Sequence, residues 1–327
     1  MHSLSDAALT FLASLLGCLA VGRPAIRVLA HAQCVAPVRY EDCAPLMAYQ
    51  RTKPATPTMG GLFVLAVAIL VAAAAGGLGH RDGWLVLLAV AGVGAMGLLD
   101  DYLKFKGPNA VGIRSLPKLL VTLAVGAMVG LASSGSSSGG TVEVPWMERT
   151  VRLGWAWVPF VMLVLSSSAH AVNLTDGLDG LAAGCLATVL VVLGLWALGG
   201  TAEGRVLVPW CASLAGACVG FLWFNGFPAS VVLGDVGALG LGAALGTISL
   251  LTQTALWLLV LGGVFVAEAS SVILQVASYR WRNKRRIFRV APLHHHFQVG
   301  GMSEPKVILR FWIAGLLLAM AAVAFRR

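Results

Sequence analysis

The chain has 327 residues, of which 58% are hydrophobic and 11% charged, a net charge of +9 and a mean hydropathy of +0.85. That composition belongs to a protein whose solvent is lipid. The excess of base comes with no stacking motif and no nucleic-acid signature, so lipid and phosphate are the partners it fits and nucleic acid is excluded. Four of the six cysteines, Cys18, Cys185, Cys211 and Cys218, stand in apolar runs, and Cys34 and Cys43 share a polar loop without a C-x-x-C pair, so they read as reduced and structural.

The first apolar run, Ala7 to Val21, has a signal peptide's length but no basic segment before it; Arg23 and Arg27 follow instead, which predicts a retained span with the N-terminus outside. Runs of spanning length then come at about Met59 to Leu78, Trp84 to Leu99, Pro117 to Ala132 and Val158 to Val172. Five more come at about Leu178 to Leu198, Val206 to Phe224, Val236 to Leu251, Ala255 to Ala277 and Val307 to Phe325. The fold class expected is all-α, a polytopic integral membrane protein of about ten transmembrane helices. In the eighth run, GALGLGAALG predicts close helix packing through small residues.

Sixteen of the 23 Lys and Arg fall in the loops after spans one, three, five, seven and nine, six fall on the opposite side, and Arg310 lies inside the last span. The odd-numbered loops are therefore expected in the cytoplasm and both termini outside. The one long external loop contains SSGSSSGG, Ser133 to Gly140, a flexible linker by composition, and then an alternating TVEVPW that could form a small hairpin.

Five of the 14 acidic residues gather in the internal motifs. Asp100 and Asp101 end the third span in GLLDDYLKF, Asp176 and Asp179 lie in VNLTDGLDGLA, and Asp235 ends FNGFPASVVLGD. Carboxylates brought together repel unless protons or a cation hold them, and a hard ion such as Mg²⁺, bound through one or two carboxylates and substrate phosphates, fits this set. Simpler readings exist for each: a solvated helix end for Asp100 and Asp101, and capping or turn formation for Asp176 and Asp179. After span nine, YRWRNKRRIFRVAPLHHHF holds a basic cluster that positive-inside bias alone explains. His294, His295 and His296 are adjacent, so they cannot converge on one zinc ion, and their N–H donors suit a pyrophosphate better. QRTKPATPTMGGL supplies Lys53 and Thr58 as donors beside Gly60 and Gly61 but matches no complete phosphate-loop pattern. Within span nine, Glu268, Ser271, Gln275 and Tyr279 share one helical face, and an intramembrane carboxylate there is expected either to line a groove or to hold helices together.

Together PTMGG, LLDDYLK, VNLTDGLDGLA, FNGFPASVVLGD and APLHHHF resemble, in order, spacing and topology, the polyprenyl-phosphate N-acetylhexosamine-1-phosphate transferases, from about Tyr49 to the C-terminus. The HHH loop and EPKVILRFW favour the muramoyl-pentapeptide branch over the N-acetylglucosamine branch. The resemblance implies one phosphoglycosyl transferase domain spanning 1–327, a bacterial plasma-membrane location, a cytoplasmic active site, Mg²⁺ and a homodimer. It also implies UDP-MurNAc-pentapeptide and undecaprenyl phosphate as substrates, with lipid I and UMP as products. Carried over by position, Asp235 is implied as the metal ligand, Asp100 and Asp101 as the pair engaging the carrier phosphate, and Lys104 and Lys118 as their cationic neighbours. Lys53, Thr58, Asn173, Asp176, Asp179 and Asn225 are implied as nucleotide-sugar contacts. His294 and His295 are implied in catalysis and His296 in substrate binding. Direct attack and a covalent aspartyl-phosphate route both remain open. The sequence departs from the family pattern at Ala55, usually glycine, at Ala238, usually serine, and at Val232, usually the aromatic against uracil. A different class, a secondary transporter of an anionic solute, would also use Glu268, but it needs access from both sides and the motif acids lie on one.

Overall fold

A computed structural model describes residues 3–35, 47, 56–105, 112–135, 139–147 and 149–326. Ten helices correspond to the ten apolar runs: α1 Leu4–His31, α2 Gly61–Ala74, α3 Arg81–Phe105, α4 Ser115–Ser133, α5 Trp157–Thr175, α6 Leu181–Gly199, α7 Val208–Asn225, α8 Gly234–Leu251, α9 Gly263–Trp281 and α10 Glu304–Phe325. Eight are long and apolar enough to cross a membrane. A ninth crossing arises if α9 is joined to Ala255–Leu261, from which it is bent by 85°. Among the described residues α2 falls short: its 14 residues reach about 21 Å, against roughly 30 Å of hydrocarbon.

Two boundaries differ instructively from the sequence reading. α1 is 28 residues long, starts at a capping box between Ser3 and Asp6, and carries Arg23, Arg27 and His31 on its last turns rather than in a loop. Basic side chains there remain compatible with a helix that outruns the hydrocarbon core. The ninth run is broken at Gly262, where the helix restarts in a new direction, because hydropathy reports apolarity and not axis continuity.

At the centre lies α8, every residue of which is buried, packed mainly against α3 and α5. Its small residues make this possible. A methyl group on Gly242 would lie 2.7 Å from Ala169 Cα, and one on Gly237 2.6 Å from Gly61 Cα, so the GALGLGAALG run lets α5 and α2 approach backbone to backbone. Around this core, α1 and α6 pack on α7, and α4 on α5. α5 and α8 run in opposite directions. The C-terminal end of α5 and the N-terminal end of α8 therefore share one end of the bundle, and a two-stranded antiparallel hairpin, β1 Thr141–Val144 with β2 Arg149–Arg152, covers the other.

Candidate active site

The two aspartates that end α3 meet the one that begins α8. Asp100, Asp101 and Asp235 are all buried, and their carboxylates come within 4.8 Å of one another. α3 and α8 cross closely at this level because Gly97 has no side chain to strike the Asp235 backbone. Two ammonium groups sit among the acids. Lys118 Nζ donates to Asp100 Oδ2 at 2.7 Å and to Asp235 Oδ2 at 2.6 Å. Lys104 Nζ contacts Asp100 Oδ2, lies 3.2 Å from Asp235 Oδ2 and is 3.5 Å from Asp101 Oδ1. Asn173 Nδ2 donates to Asp235 Oδ1 at 3.1 Å, so both oxygens of that carboxylate are held from opposite sides. The backbone N–H of Val236 donates to Asp101 Oδ2 at 3.0 Å and that of Ile113 to Asp100 Oδ1.

PTMGG reaches the same place through main-chain pairing. Val232 N donates to Pro57 O, Gly60 N to Val232 O and Gly61 N to Leu233 O, while Thr58 N donates to Cys34 O. These bonds hold Met59 at a φ of 69° and set Thr58 beside Gly234. Gly234 itself has a φ of 75°, and a Cβ there would lie 2.7 Å from Asp101 Oδ2 and 3.0 Å from Thr58 Oγ1. The residue before Asp235 is thus glycine both for its backbone angle and for the closeness of its neighbours. The Cys34 thiol is pushed up, first by burial and then by the negative charge of Asp101, which marks how near the end of α1 comes to the cluster.

The remaining motif residues form an adjoining layer. Asp176 ends α5 one turn beyond Asn173. Asp179 Oδ2 accepts from Ala229 N at 3.1 Å, and its own N–H donates to Glu304 Oε1 at 3.0 Å. Asn225 Oδ1 accepts from Gly180 N and its Nδ2 donates to Val231 O, so Asp179 and Asn225 shape the loop that leads to Asp235. The histidines occupy a short helix, Leu293–Val299. His294 is buried against the Asp176–Asp179 turn, His295 Nδ1 pairs with Gln298 Oε1 at 2.7 Å, and His296 Nδ1 accepts from Arg289 N at 3.1 Å. Lys53 lies outside the described residues.

Sequence reasoning missed His170. Its Nε2 is 3.4 Å from Thr122 Oγ1, which also contacts Ser166 Oγ at 2.8 Å, and its charged neighbours are Lys118 and Asp235. The available signal was spacing: Ser166, His170 and Asn173 lie on one face of α5, opposite Lys118 and Thr122 on α4.

Three carboxylates offer only hard oxygen donors at a separation one cation could bridge, and that is a donor set for a hard divalent ion rather than for zinc. Buried carboxylates and ammonium groups gather at one end of an apolar helical bundle, and residues 83–253 match the family model described as glycosyl transferase family 4. A phospho-N-acetylmuramoyl-pentapeptide-transferase of Citrifermentans bemidjiense is 42% identical over 287 residues, covering 83% of this chain and 80% of that protein. The enzyme of that name from Methylacidiphilum infernorum is 39% identical over an alignment 331 positions long, gaps included, covering 95% and 90%. That from Geobacter sp. strain M21 is 41% identical over 287 residues, covering 83% and 80%. The chain belongs to the phospho-N-acetylmuramoyl-pentapeptide transferase family.

Proposed function

We propose that this protein transfers phospho-MurNAc-pentapeptide from UDP-MurNAc-pentapeptide to undecaprenyl phosphate, giving lipid I and UMP, the first membrane step of peptidoglycan synthesis. The observation that carries the reading is the convergence of Asp100, Asp101 and Asp235 with Lys104 and Lys118, in a chain similar over most of its length to transferases of that name. An oxygen of the carrier phosphate attacks the β-phosphorus of the nucleotide; the new P–O bond forms as the bond to the bridging oxygen breaks, and UMP leaves with that oxygen.

Phosphoryl transfer asks the protein mainly for alignment and neutralisation of charge. Lys104 and Lys118 each reach both Asp100 and Asp235, so each can exchange a carboxylate for a phosphate oxygen without leaving the cluster. Asp100 is the base that keeps the acceptor phosphate dianionic. Asp235 with Asp100 and Asp101 would hold Mg²⁺, which when bound supplies Lewis-acid neutralisation of phosphate charge. On the nucleotide-sugar side stand Lys53, Thr58, Asn173, Asp176, Asp179, Asn225 and His296, with His294 and His295 beside the pyrophosphate. The basic loops support a cytoplasmic site in the bacterial plasma membrane, ten spans including the short α2, and both termini outside. The geometry is consistent with this orientation, because α1 ends and α10 begins at the site end of the bundle. A homodimer completes the proposal.

Purified protein, Mg²⁺ and undecaprenyl phosphate, given UDP-MurNAc-pentapeptide or UDP-GlcNAc in turn, should release UMP with the first only. Release with UDP-GlcNAc alone would move the protein to the other branch, and release with neither would defeat the reading.

A further inference from the structure

The polar face of α9 works on the segment that follows it. Ser278 Oγ donates to Arg285 O at 2.8 Å. Gln275 Oε1 accepts from Ile287 N and Phe288 N, both at 3.0 Å, and its Nε2 donates to Phe288 O at 3.1 Å. Glu268 Oε1 accepts from His294 N at 3.2 Å. Positions 278, 275 and 268 thus take residues 285, 288 and 294 in reverse order. The chain turns after Trp281 and runs back along the helix, and its histidines come to rest ten residues, or about 15 Å, below the first rung.

The deepest rung differs from the others. Glu268 and His294 both have 0% of their side chains exposed, with His294 Nδ1 3.2 Å from Glu268 Oε1. Glu268 Oε2 and both ring nitrogens of His294 have no hydrogen-bond partner among the described residues, so the bond that joins the two residues is the one from His294 N. On its far side the His294 ring lies on the backbone of Gly177, where any side chain would collide with Nε2, and the His295 ring meets it edge to face at a centroid distance of 4.1 Å. A carboxyl group and an imidazole wholly out of water are costly, and apolar side chains of similar volume in place of such a pair are often neutral or stabilising. Packing therefore does not account for the pair. What it does fix is position: the carboxylate ties the histidine helix to α9, and the ring bears on the turn between Asp176 and Asp179, one turn from Asn173 and its bond to Asp235.

We propose that Glu268 is a positioning residue for the nucleotide-sugar side of the site, seating the His294–His296 helix against the Asp176–Asp179 turn. The inference rests on the transferase reading above. A seat is sensitive to reach, so Glu268→Asp, which keeps the carboxyl group but is one methylene short, should raise KM for UDP-MurNAc-pentapeptide on the order of tenfold. Glu268→Gln, which keeps both the length and the acceptor oxygen, should stay within about threefold, and KM for undecaprenyl phosphate should hardly move in either. UMP binding followed by calorimetry in detergent should weaken in the same order without any turnover. The proposal is overturned if Glu268→Asp matches the wild type, if Glu268→Gln is the more damaging of the two, or if both Michaelis constants rise together. Failure of the wild-type protein to release UMP would instead defeat the functional reading.

Discussion

The two ends of the bundle each set carboxylate against cation, and they do it in opposite ways. At the hairpin end, Glu143 is closed upon itself. Its Oε2 accepts from Arg326 Nη2 at 2.8 Å and its Oε1 from Trp257 Nε1 at 2.8 Å, Arg326 lies over the Trp196 ring, and Glu143 N donates to Gln253 O. One carboxylate meets one guanidinium, and the half-buried pair is flanked by the indole rings of Trp196 and Trp257. At the other end, among the described residues, three carboxylates share two ammonium groups, so each lysine is divided between acids. A balanced pair holds structure together. A shared acidic cluster of this kind could hold a metal ion.

The sharpest way to break the contrast is Asp235→Asn. The amide keeps an oxygen but loses the charge that both lysines share, and turnover should fall by about a thousandfold, the scale of lost charge stabilisation in phosphoryl transfer. Binding of Mn²⁺ as a probe, followed by electron paramagnetic resonance, should weaken in parallel; near-normal rate and metal binding would remove Asp235 from the centre. Asp100→Asn and Asp101→Asn should also be strongly impaired. With Asp100 as the base, its variant alone should recover activity as pH rises through about 6, where a phosphate monoester loses its second proton unaided. A flat pH–rate profile for Asp100→Asn would leave that residue a positioning role.

A smaller effect is expected at Val232, whose backbone is bonded on both sides to the PTMGG segment. Val232→Phe supplies a stacking face for uracil worth about 1–3 kcal/mol, so KM for the nucleotide substrate should fall by about tenfold with kcat unchanged. Phe224 is wedged against Gly22 of α1 and does not compete for the space, whereas Phe227, 44% exposed, is the side chain that could blunt the gain. An unchanged affinity for a uridine-containing inhibitor would place the base elsewhere.

The mildest prediction concerns the hairpin end. Burial pushes the Glu143 carboxyl up, but the hydrogen bonds from Arg326 and Trp257 and the Arg326 charge outweigh it and hold the group below the usual carboxylate range. A lowered value in the folded state means that the contribution is present at neutral pH and is lost as pH falls through that lowered value. Because the pair is partly solvent-screened, Glu143→Gln should cost only about 1 kcal/mol. The thermal midpoint should fall by a few degrees at pH 7, the difference from wild type should vanish in acid, and UMP release should be untouched. Loss of activity would show that the two ends are coupled.

Much of the site is legible in the residues because its acids lie in contiguous motifs at the ends of apolar runs. Asp100, Asp101 and Asp235 announce themselves by the cost of charge in lipid. His170 did not, since a single imidazole in an apolar run looks like core until Thr122 and Lys118 are seen across from it. Asp179 and Asn225 read from the sequence as ligand contacts, whereas what the structure shows of both is that they hold the 226–233 loop in shape.

From the sequence by itself follow the lipid solvent, the ten apolar runs and the family, because hydropathy and contiguous motifs are local properties of the chain. The tertiary structure alone decided that α1 outruns its apolar segment, that the ninth run breaks at Gly262, that Lys104 and Lys118 interleave with the acids, and that Glu268 meets His294. Each of these depends on which helices lie side by side, and that is set by small residues at crossings such as Gly61 with Gly237 and by hydrogen bonds between positions far apart in the chain.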